Sequence, residues 1–146
     1  MASPTSMGYT PEPPATLPLL ESPMPKKILV VDDSAMMRKI IIKNMRDCGF
    51  DIDPQEASDG VEAVKIFTAG GIEAVFTDWN MPNMDGLALV KEIRKLDPQK
   101  KVPIVMITTE VTPDKVKEAV LAGATNYIGK PFTPEKLKEK FEKYLA

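Results

Sequence analysis

Short apolar runs recur along the chain and are separated by longer amphipathic segments. The runs are residues 28–31 (ILVV), 74–77 (AVFT), 104–107 (IVMI) and 127–129 (YIG). Runs of this length are typical of strands in a parallel sheet that is buried on both faces. The segments between them carry apolar residues at helical spacing, as at Met37, Ile41 and Met45. Strands therefore alternate with helices, which restricts the chain to an α/β fold.

The pattern predicts five strand–helix units that form a doubly wound, five-stranded parallel sheet. The strands are expected at about 27–31, 51–57, 73–77, 103–107 and 125–129. The helices should begin near residues with capping or helix-starting character, namely Ser34, Asp59, Gly86, Thr112 and Thr133. Pro54 interrupts the second strand and cannot donate a backbone hydrogen bond, so this strand should lie at an edge of the sheet.

Polar side chains stand just past the ends of four of these strands. Asp32 and Asp33 follow the first strand, Asp78 the third, Thr108 the fourth and Lys130 the fifth. Ligands of open α/β sheets bind outside the carboxyl ends of the strands. Three carboxylates, a hydroxyl and an ammonium are therefore expected to converge on one pocket.

The carboxylates of this pocket predict a metal site. Such a cluster repels itself unless a cation neutralises it. Mg²⁺ is the expected cofactor, because it takes few protein carboxylates and shares phosphate oxygens. Zinc is disfavoured, since the chain has no histidine and one cysteine, Cys48. Asp32 or Asp33 could instead cap the following helix, although Ser34 is also available for that position.

Asp78 taken alone has three interpretations: a metal ligand, a phosphoryl acceptor, or a residue of the turn-rich segment 78–86. Thr108 and Lys130 favour the acceptor. Together they supply a hydrogen-bond donor and a positive charge for an anion beside the metal. Phosphoryl transfer depends mainly on such positioning and charge neutralisation. An aspartate nucleophile would form an acyl phosphate.

Charge and hydropathy argue against several other classes of protein. The formal charge of −2 and the pI near 5.3 are not those of a nucleic-acid-binding surface. No apolar stretch approaches the roughly 20 residues of a membrane helix, and the start lacks the pattern of a secretory signal. A single cysteine suits a reducing compartment. We therefore expect a cytoplasmic protein with no membrane or nucleic-acid partner.

Residues 1–25 differ in composition from the rest of the chain. They contain seven of the 14 prolines and no lysine or arginine. A stretch of this kind cannot bury enough apolar surface to offset the entropy of ordering, so a disordered tail is expected. Met24 offers an alternative start, which leaves open that the tail is non-native or without function.

Four motifs resemble those of a response-regulator receiver domain. They are ILVVDDS at 28–34, TDWNMPNMDG at 77–86, TTE at 108–110 and YIGKPF at 127–132. The resemblance covers about residues 26–146 and is closest to receivers that act in chemotaxis. It implies a flavodoxin-like (βα)5 fold with strand order 2-1-3-4-5.

The resemblance also implies how the acids act. Asp78 would be the phosphorylated residue. Asp33 and Asp78 would ligate Mg²⁺ directly, Asp32 would act mainly through a water, and Asn80 would contribute its backbone carbonyl. Trp79, beside the acceptor, should be partly exposed and should report metal or phosphate binding by fluorescence.

The remaining pocket residues receive roles by the same resemblance. Thr108 would hydrogen-bond the phosphoryl group, and Lys130 would pair with its charge. Tyr127 would be the switch aromatic that turns inward as Thr108 moves toward the phosphate. Asn80 and Glu110 would flank the path of the attacking water and tune dephosphorylation.

The implied function is a monomeric, stand-alone phospho-signalling switch of a two-component system. A histidine kinase would phosphorylate Asp78 and thereby change binding to a partner, expected to be a flagellar motor switch protein; a phosphatase is a further expected partner. The only turnover would be self-phosphorylation from small phosphodonors and slow autodephosphorylation, so the protein is not expected to be an enzyme in the usual sense.

Three other functions compete with this one. A phosphorelay carrier, or a regulator outside chemotaxis, would use the same pocket and remains an alternative. A phosphohydrolase of the haloacid dehalogenase type needs an aspartate two residues after the nucleophile, where this chain has Asn80. Flavin binding is disfavoured, because Asp32 and Asp33 would repel its phosphate without a metal.

Overall fold

The computed structural model describes residues 25–145. Its strands are β1 (Lys26–Val31), β2 (Ile52–Ala57), β3 (Ala74–Thr77), β4 (Ile104–Thr108) and β5 (Asn126–Gly129). Its helices are α1 (Ala35–Asp47), α2 (Gly60–Thr68), α3 (Gly86–Leu96), α4 (Pro113–Ala122) and α5 (Pro134–Leu145). The strands pair in parallel in the order β2-β1-β3-β4-β5, which confirms the predicted fold. The tail predicted over 1–25 lies outside the described residues, apart from Pro25.

Capping side chains start three helices where the sequence predicts. Ser34, Asp59 and Thr112 precede α1, α2 and α4. Each side chain accepts a hydrogen bond from the backbone N–H three residues further on, at 3.1, 2.8 and 3.3 Å respectively. Such caps satisfy N–H groups that have no partner within the helix. Because Ser34 caps α1 so soon after β1 ends, the acidic pair lies in a tight connection at the edge of the sheet.

Alternating strand residues pack into two apolar layers. Ile28 and Val30 face α1 and α5, where the rings of Phe76 and Phe141 lie 5.5 Å apart between centroids. Leu29 lies in the other layer, with α2, α3 and α4. Burial of β3 and β4 on both faces leaves the ends of these central strands as the place where their polar neighbours reach solvent. Within residues 25–145 no helix is long and apolar enough to cross a membrane.

Strand starts differ by one residue from the predicted bounds, and two site residues differ in their environment. Thr108 does not follow β4 but is its last residue, because it is still paired with Gly129 of β5. Trp79 is not partly exposed: its relative exposure is 5%. The ring packs in the layer formed with α2, α3 and α4, and the ammonium of Lys115 lies 4.9 Å from its centroid. This cation–π contact lets α4 cover the indole.

Candidate functional site

Asp32, Asp33 and Asp78 meet because β1 and β3 are neighbours in the sheet. Val31 is paired with Thr77, and the backbone N–H of Asp78 donates to the carbonyl of Val31 at 2.9 Å. The residues that follow the two strands therefore leave the sheet side by side. One carboxylate oxygen from each of the three acids lies within 4.8 Å of the others. The structure thus brings the three acids of the sequence prediction into one cluster.

Lys130 reaches this cluster from the end of β5. Its ammonium donates to Oδ2 of Asp32 at 2.8 Å and to Oδ2 of Asp78 at 3.2 Å. The three side chains are only 14%, 3% and 13% exposed, so water shields these contacts weakly. Burial alone would lower the pKa of Lys130, but the hydrogen bond to Asp32 and the charge of Asp78 outweigh it and raise that pKa. Lys130 is therefore a firmly charged cation between two carboxylates.

The two acids of the pair differ in how their side chains are fixed. Asp32 is 2% exposed, and its Oδ1 accepts from the backbone N–H of Ser34 at 2.9 Å while Oδ2 contacts Lys130. Asp33 is exposed. Within residues 25–145 its carboxylate makes no hydrogen bond, so its direction depends on the backbone that carries it.

Thr108 lies fully buried at the end of β4, next to the strand that carries Asp78. Its carbonyl accepts from the backbone N–H of Lys130 at 2.8 Å, which joins the ends of β4 and β5. Its hydroxyl oxygen accepts from the backbone N–H of Glu110 at 3.2 Å. Because a hydroxyl can also donate, its proton is available to an anion on the Asp78 side.

Tyr127 of β5 carries a buried hydroxyl that has no hydrogen-bond partner within residues 25–145. Burial, and then the negative charges of Glu110 and Asp78, raise the pKa of Tyr127 to about 12. A buried hydroxyl without a partner carries a desolvation cost. A rearrangement that gave this hydroxyl a hydrogen-bond partner would therefore lower the free energy of the folded protein.

Asn80 and Glu110 lie two residues beyond Asp78 and Thr108 and contact each other across the pocket. The amide of Asn80 donates to Oε2 of Glu110 at 3.0 Å. The contact joins the segment after β3 to the segment after β4. Both residues were predicted to tune the reaction, but their pairing depends on the approach of two loops and was not foreseen.

The donor set of the acid cluster fits a hard divalent cation. The three carboxylates outnumber the single ammonium of Lys130, so negative charge remains to be neutralised. Oxygen atoms are the ligands that Mg²⁺ and Ca²⁺ take, and the small number of protein carboxylates here suits Mg²⁺. Asp32, Asp33 and Asp78 could therefore bind a metal ion.

Sequence reasoning missed Arg38, in the first turn of α1. Its Nη1 donates to the backbone carbonyl of Asp32 at 2.6 Å. The signal available in the sequence was its position. Arg38 is a cation in the first turn of a helix, where the helix dipole disfavours positive charge, and that helix begins shortly after an acidic pair.

The fold and this pocket define a doubly wound α/β protein with an acid cluster at the carboxyl ends of neighbouring parallel strands. The model of the response regulator receiver domain matches residues 28–142. The chain belongs to this family.

Curated relatives and solved structures agree with the assignment. The chain is 49% identical to chemotaxis protein CheY1 of Helicobacter pylori over 121 residues, which cover 82% of this chain and 97% of the relative. It is 46% identical to chemotaxis protein CheY-3 of Vibrio cholerae over 117 residues, which cover 80% and 89%. The CheX-CheY-BeF3-Mg²⁺ complex from Borrelia burgdorferi contains a chain that is 30% identical, with a TM-score of 0.75 and coverage of 84% and 92%.

The chain is therefore a receiver domain of two-component signalling that is homologous to chemotaxis regulators. Receiver domains of this kind are signalling switches and not conventional enzymes.

Proposed function

We propose that Asp78 accepts a phosphoryl group in an Mg²⁺-dependent reaction and that its phosphorylation switches binding to a partner. The observation that carries the proposal is the ammonium of Lys130, which joins Asp78 to Asp32 within the three-carboxylate cluster. A cation beside the acceptor and an acid cluster that needs a second cation are the two parts that phosphoryl transfer requires.

The reaction is a substitution at phosphorus. A carboxylate oxygen of Asp78 attacks the phosphorus atom of the donor, and the new O–P bond forms as the bond to the donor breaks. The leaving group of the donor departs with the electron pair of the broken bond, and Asp78 becomes an acyl phosphate. Mg²⁺, held by Asp32, Asp33, Asp78 and the backbone carbonyl of Asn80, would neutralise phosphoryl oxygens. Lys130, already beside Asp78, pairs with the charge of the transferred group.

The state of Asp78 is transmitted through Thr108 and Tyr127. The Thr108 hydroxyl donates to the phosphoryl group, which draws the end of β4 toward the pocket. Tyr127 pairs with β4 through Met106 and has an unsatisfied hydroxyl within residues 25–145, so it follows this movement. Phosphorylation thereby biases an element with two arrangements.

Asn80 and Glu110 control the return to the unmodified state. Their side chains meet at 3.0 Å near the acceptor, where water must approach the phosphorus atom. Substitutions at either position change that access without removing the acceptor, the metal ligands or Lys130.

The output surface is the groove between α4, β5 and α5. It has a volume of about 560 Å³ and includes Tyr127, Lys136 and Lys140.

A histidine kinase supplies the phosphoryl group, and a flagellar motor switch protein is the proposed partner, since relatives at 46–49% identity are named chemotaxis proteins. The name of the complex from Borrelia burgdorferi supports a further CheX-type partner, proposed here to be a phosphatase. Binding of a motor switch peptide before and after phosphorylation separates motor control from a phosphorelay.

Acetyl phosphate labelling tests the acceptor. The wild-type protein should gain the mass of one phosphoryl group with acetyl phosphate and Mg²⁺, and should gain none when the metal is chelated. Asp78→Asn keeps the shape of the side chain but removes the nucleophile, so it should stay unmodified. An unmodified wild type, or labelling that survives in Asp78→Asn, would disprove the assignment; intact mass spectrometry decides.

A further inference from the structure

Arg38 ties the acidic connection after β1 to the edge strand β2. Its Nη1 donates to the backbone carbonyl of Asp32 at 2.6 Å, and its Nε donates to Oε1 of Glu56 at 2.9 Å. The side chain is 15% exposed. One guanidinium therefore links the first turn of α1, the segment that carries the acids and the neighbouring strand.

The place of Arg38 in its helix is unfavourable by local rules. Ser34 caps α1 and Arg38 lies in the first turn, where the helix dipole favours negative charge. The first turn of α1 contains no acidic residue to offset it. The two hydrogen bonds to groups outside the helix compensate for this position, which indicates that they orient the side chain.

The carbonyl that Arg38 binds belongs to the peptide unit between Asp32 and Asp33. A peptide unit is planar, so fixing this carbonyl also fixes the N–H and the Cα direction of Asp33. Asp32 has two further anchors, the N–H of Ser34 and the ammonium of Lys130. The carboxylate of Asp33 makes no hydrogen bond within residues 25–145, so the peptide unit constrains where its Cα lies, while its own side-chain torsions are not held by any such contact.

Geometry accounts for this role better than net charge. Glu56 lies 2.9 Å from the guanidinium and neutralises it, so the pair adds little net charge near the acids. The guanidinium nevertheless presents two donors in a rigid, planar arrangement that lysine cannot reproduce. Removing Arg38 should therefore loosen the direction of Asp33 more than it changes the potential at the cluster.

We propose that Arg38 is a positioning residue for the metal site, which orients Asp33 through the Asp32–Asp33 peptide. This inference rests on the proposed Mg²⁺ function and adds a residue to it. Replacing a residue that hydrogen-bonds to a metal ligand and orients it typically weakens metal binding by about 10- to 100-fold. An effect near the lower limit is expected, because Arg38 acts on one ligand of the cluster.

Calorimetric titration with Mg²⁺ tests the proposal on the whole chain. Arg38→Met should weaken the Kd for Mg²⁺ by about 10-fold. Arg38→Lys keeps the charge and the aliphatic stem but loses the two-donor geometry, so it should show a similar weakening. In acetyl phosphate labelling, both variants should need more Mg²⁺ for half-maximal rate and should approach the wild-type rate at saturating metal.

Lys43→Met is the matched control, since it removes a cation from the same helix. Lys43 pairs with Asp47 at 2.6 Å, but both side chains are exposed, at 74% and 60%. Its Kd should stay within about twofold of wild type. Equal weakening in Lys43→Met and Arg38→Met would overturn the positioning role in favour of general charge.

The remaining outcomes separate this inference from the function on which it rests. Wild-type affinity in Arg38→Lys would overturn the positioning role, because it would show that the two-donor geometry is not needed. A lower melting temperature of the metal-free protein with unchanged Kd would overturn it in favour of a purely structural Arg38. If Arg38→Met does not fold, Arg38→Lys decides alone. A wild-type protein that does not bind Mg²⁺ would overturn the proposed function and this inference together.

Discussion

Two polar groups of the pocket, the Lys130 ammonium and the Tyr127 hydroxyl, are in opposite situations. The ammonium of Lys130 has two carboxylate partners, Asp32 and Asp78, which offset its loss of water. The hydroxyl of Tyr127 is buried without a partner among residues 25–145. Burying a polar group without a hydrogen bond costs more than leaving it in water. Lys130 is therefore a stable part of the resting pocket, whereas Tyr127 is the side chain with free energy to gain from a change.

Tyr127→Phe tests this difference on the unphosphorylated protein. The substitution removes the hydroxyl and keeps the ring, so the variant should be more stable than wild type by about 1 kcal/mol at neutral pH. Urea denaturation followed by circular dichroism measures the free energy of unfolding. A clear loss of stability would show that the hydroxyl has a partner after all.

The same variant carries a pH signature. Folding raises the pKa of Tyr127 from 10.0 to about 12, so the folded state retains a proton that the unfolded chain has lost. The stability of the wild type should therefore be unaffected by this group below pH about 10 and should fall as the pH rises toward 12. Tyr127→Phe lacks this loss, so its advantage in the free energy of unfolding should widen as the pH rises from 10 toward 12. A constant difference between the two proteins across that range would contradict the burial of the phenol.

At the scale of elements, the start of α3 shapes the acceptor segment. Asp85 caps the helix and accepts from the N–H of Ala88 at 2.8 Å. Gly86 donates its N–H to the carbonyl of Trp79 at 2.7 Å. A Cβ at Gly86 would lie 2.0 Å from the carbonyl oxygen of Asp78. The helix and the acceptor segment can approach so closely because residue 86 has no side chain.

Gly86→Ala should displace the backbone of Asp78, because the atom that it meets is backbone and cannot rotate away. We expect a loss of about 3 kcal/mol or more in the free energy of unfolding and impaired labelling by acetyl phosphate. Gly129→Ala is the matched control: its Cβ would meet a side-chain methyl of Val111 at 3.0 Å, which can move. The control should lose no more than about 1 kcal/mol in the same denaturation experiment. Equal losses would refute the backbone contact as the cause.

The elements themselves were largely predictable from the sequence. Apolar runs identified four of the five strands, and Ser34, Asp59 and Thr112 identified helix starts, because strand burial and helix capping act on neighbouring residues. The end of β4 was misplaced by one residue at Thr108, since strand pairing with Gly129 extends beyond the apolar run. Such ends depend on the neighbouring strand and not on local composition.

At the scale of the whole molecule, the sheet topology assembles the site. Lys130 lies 98 residues from Asp32 and 52 from Asp78 in sequence, yet contacts both. The strand order places the ends of β1 and β3 side by side, with β4 and β5 next in the sheet. Strand-end positions were enough to predict which residues converge, because all parallel strands end at the same edge.

The side-chain environments could not be predicted in the same way. Trp79 was expected to be partly exposed, but Lys115 of α4 covers its ring. The bond from Arg38 to the Asp32 carbonyl also depends on how α1 packs beside β2. Both contacts depend on how a helix packs against the sheet, so only the packed molecule reveals them.

The phosphorylated residue can be identified directly by borohydride reduction. An acyl phosphate on aspartate is reduced to an alcohol, which converts the residue to homoserine. After acetyl phosphate and Mg²⁺ treatment, peptide mass mapping should find homoserine at position 78 and at no other acid of the cluster. Homoserine at Asp32 or Asp33, or a phosphorylated protein that yields no homoserine, would contradict Asp78 as the acceptor.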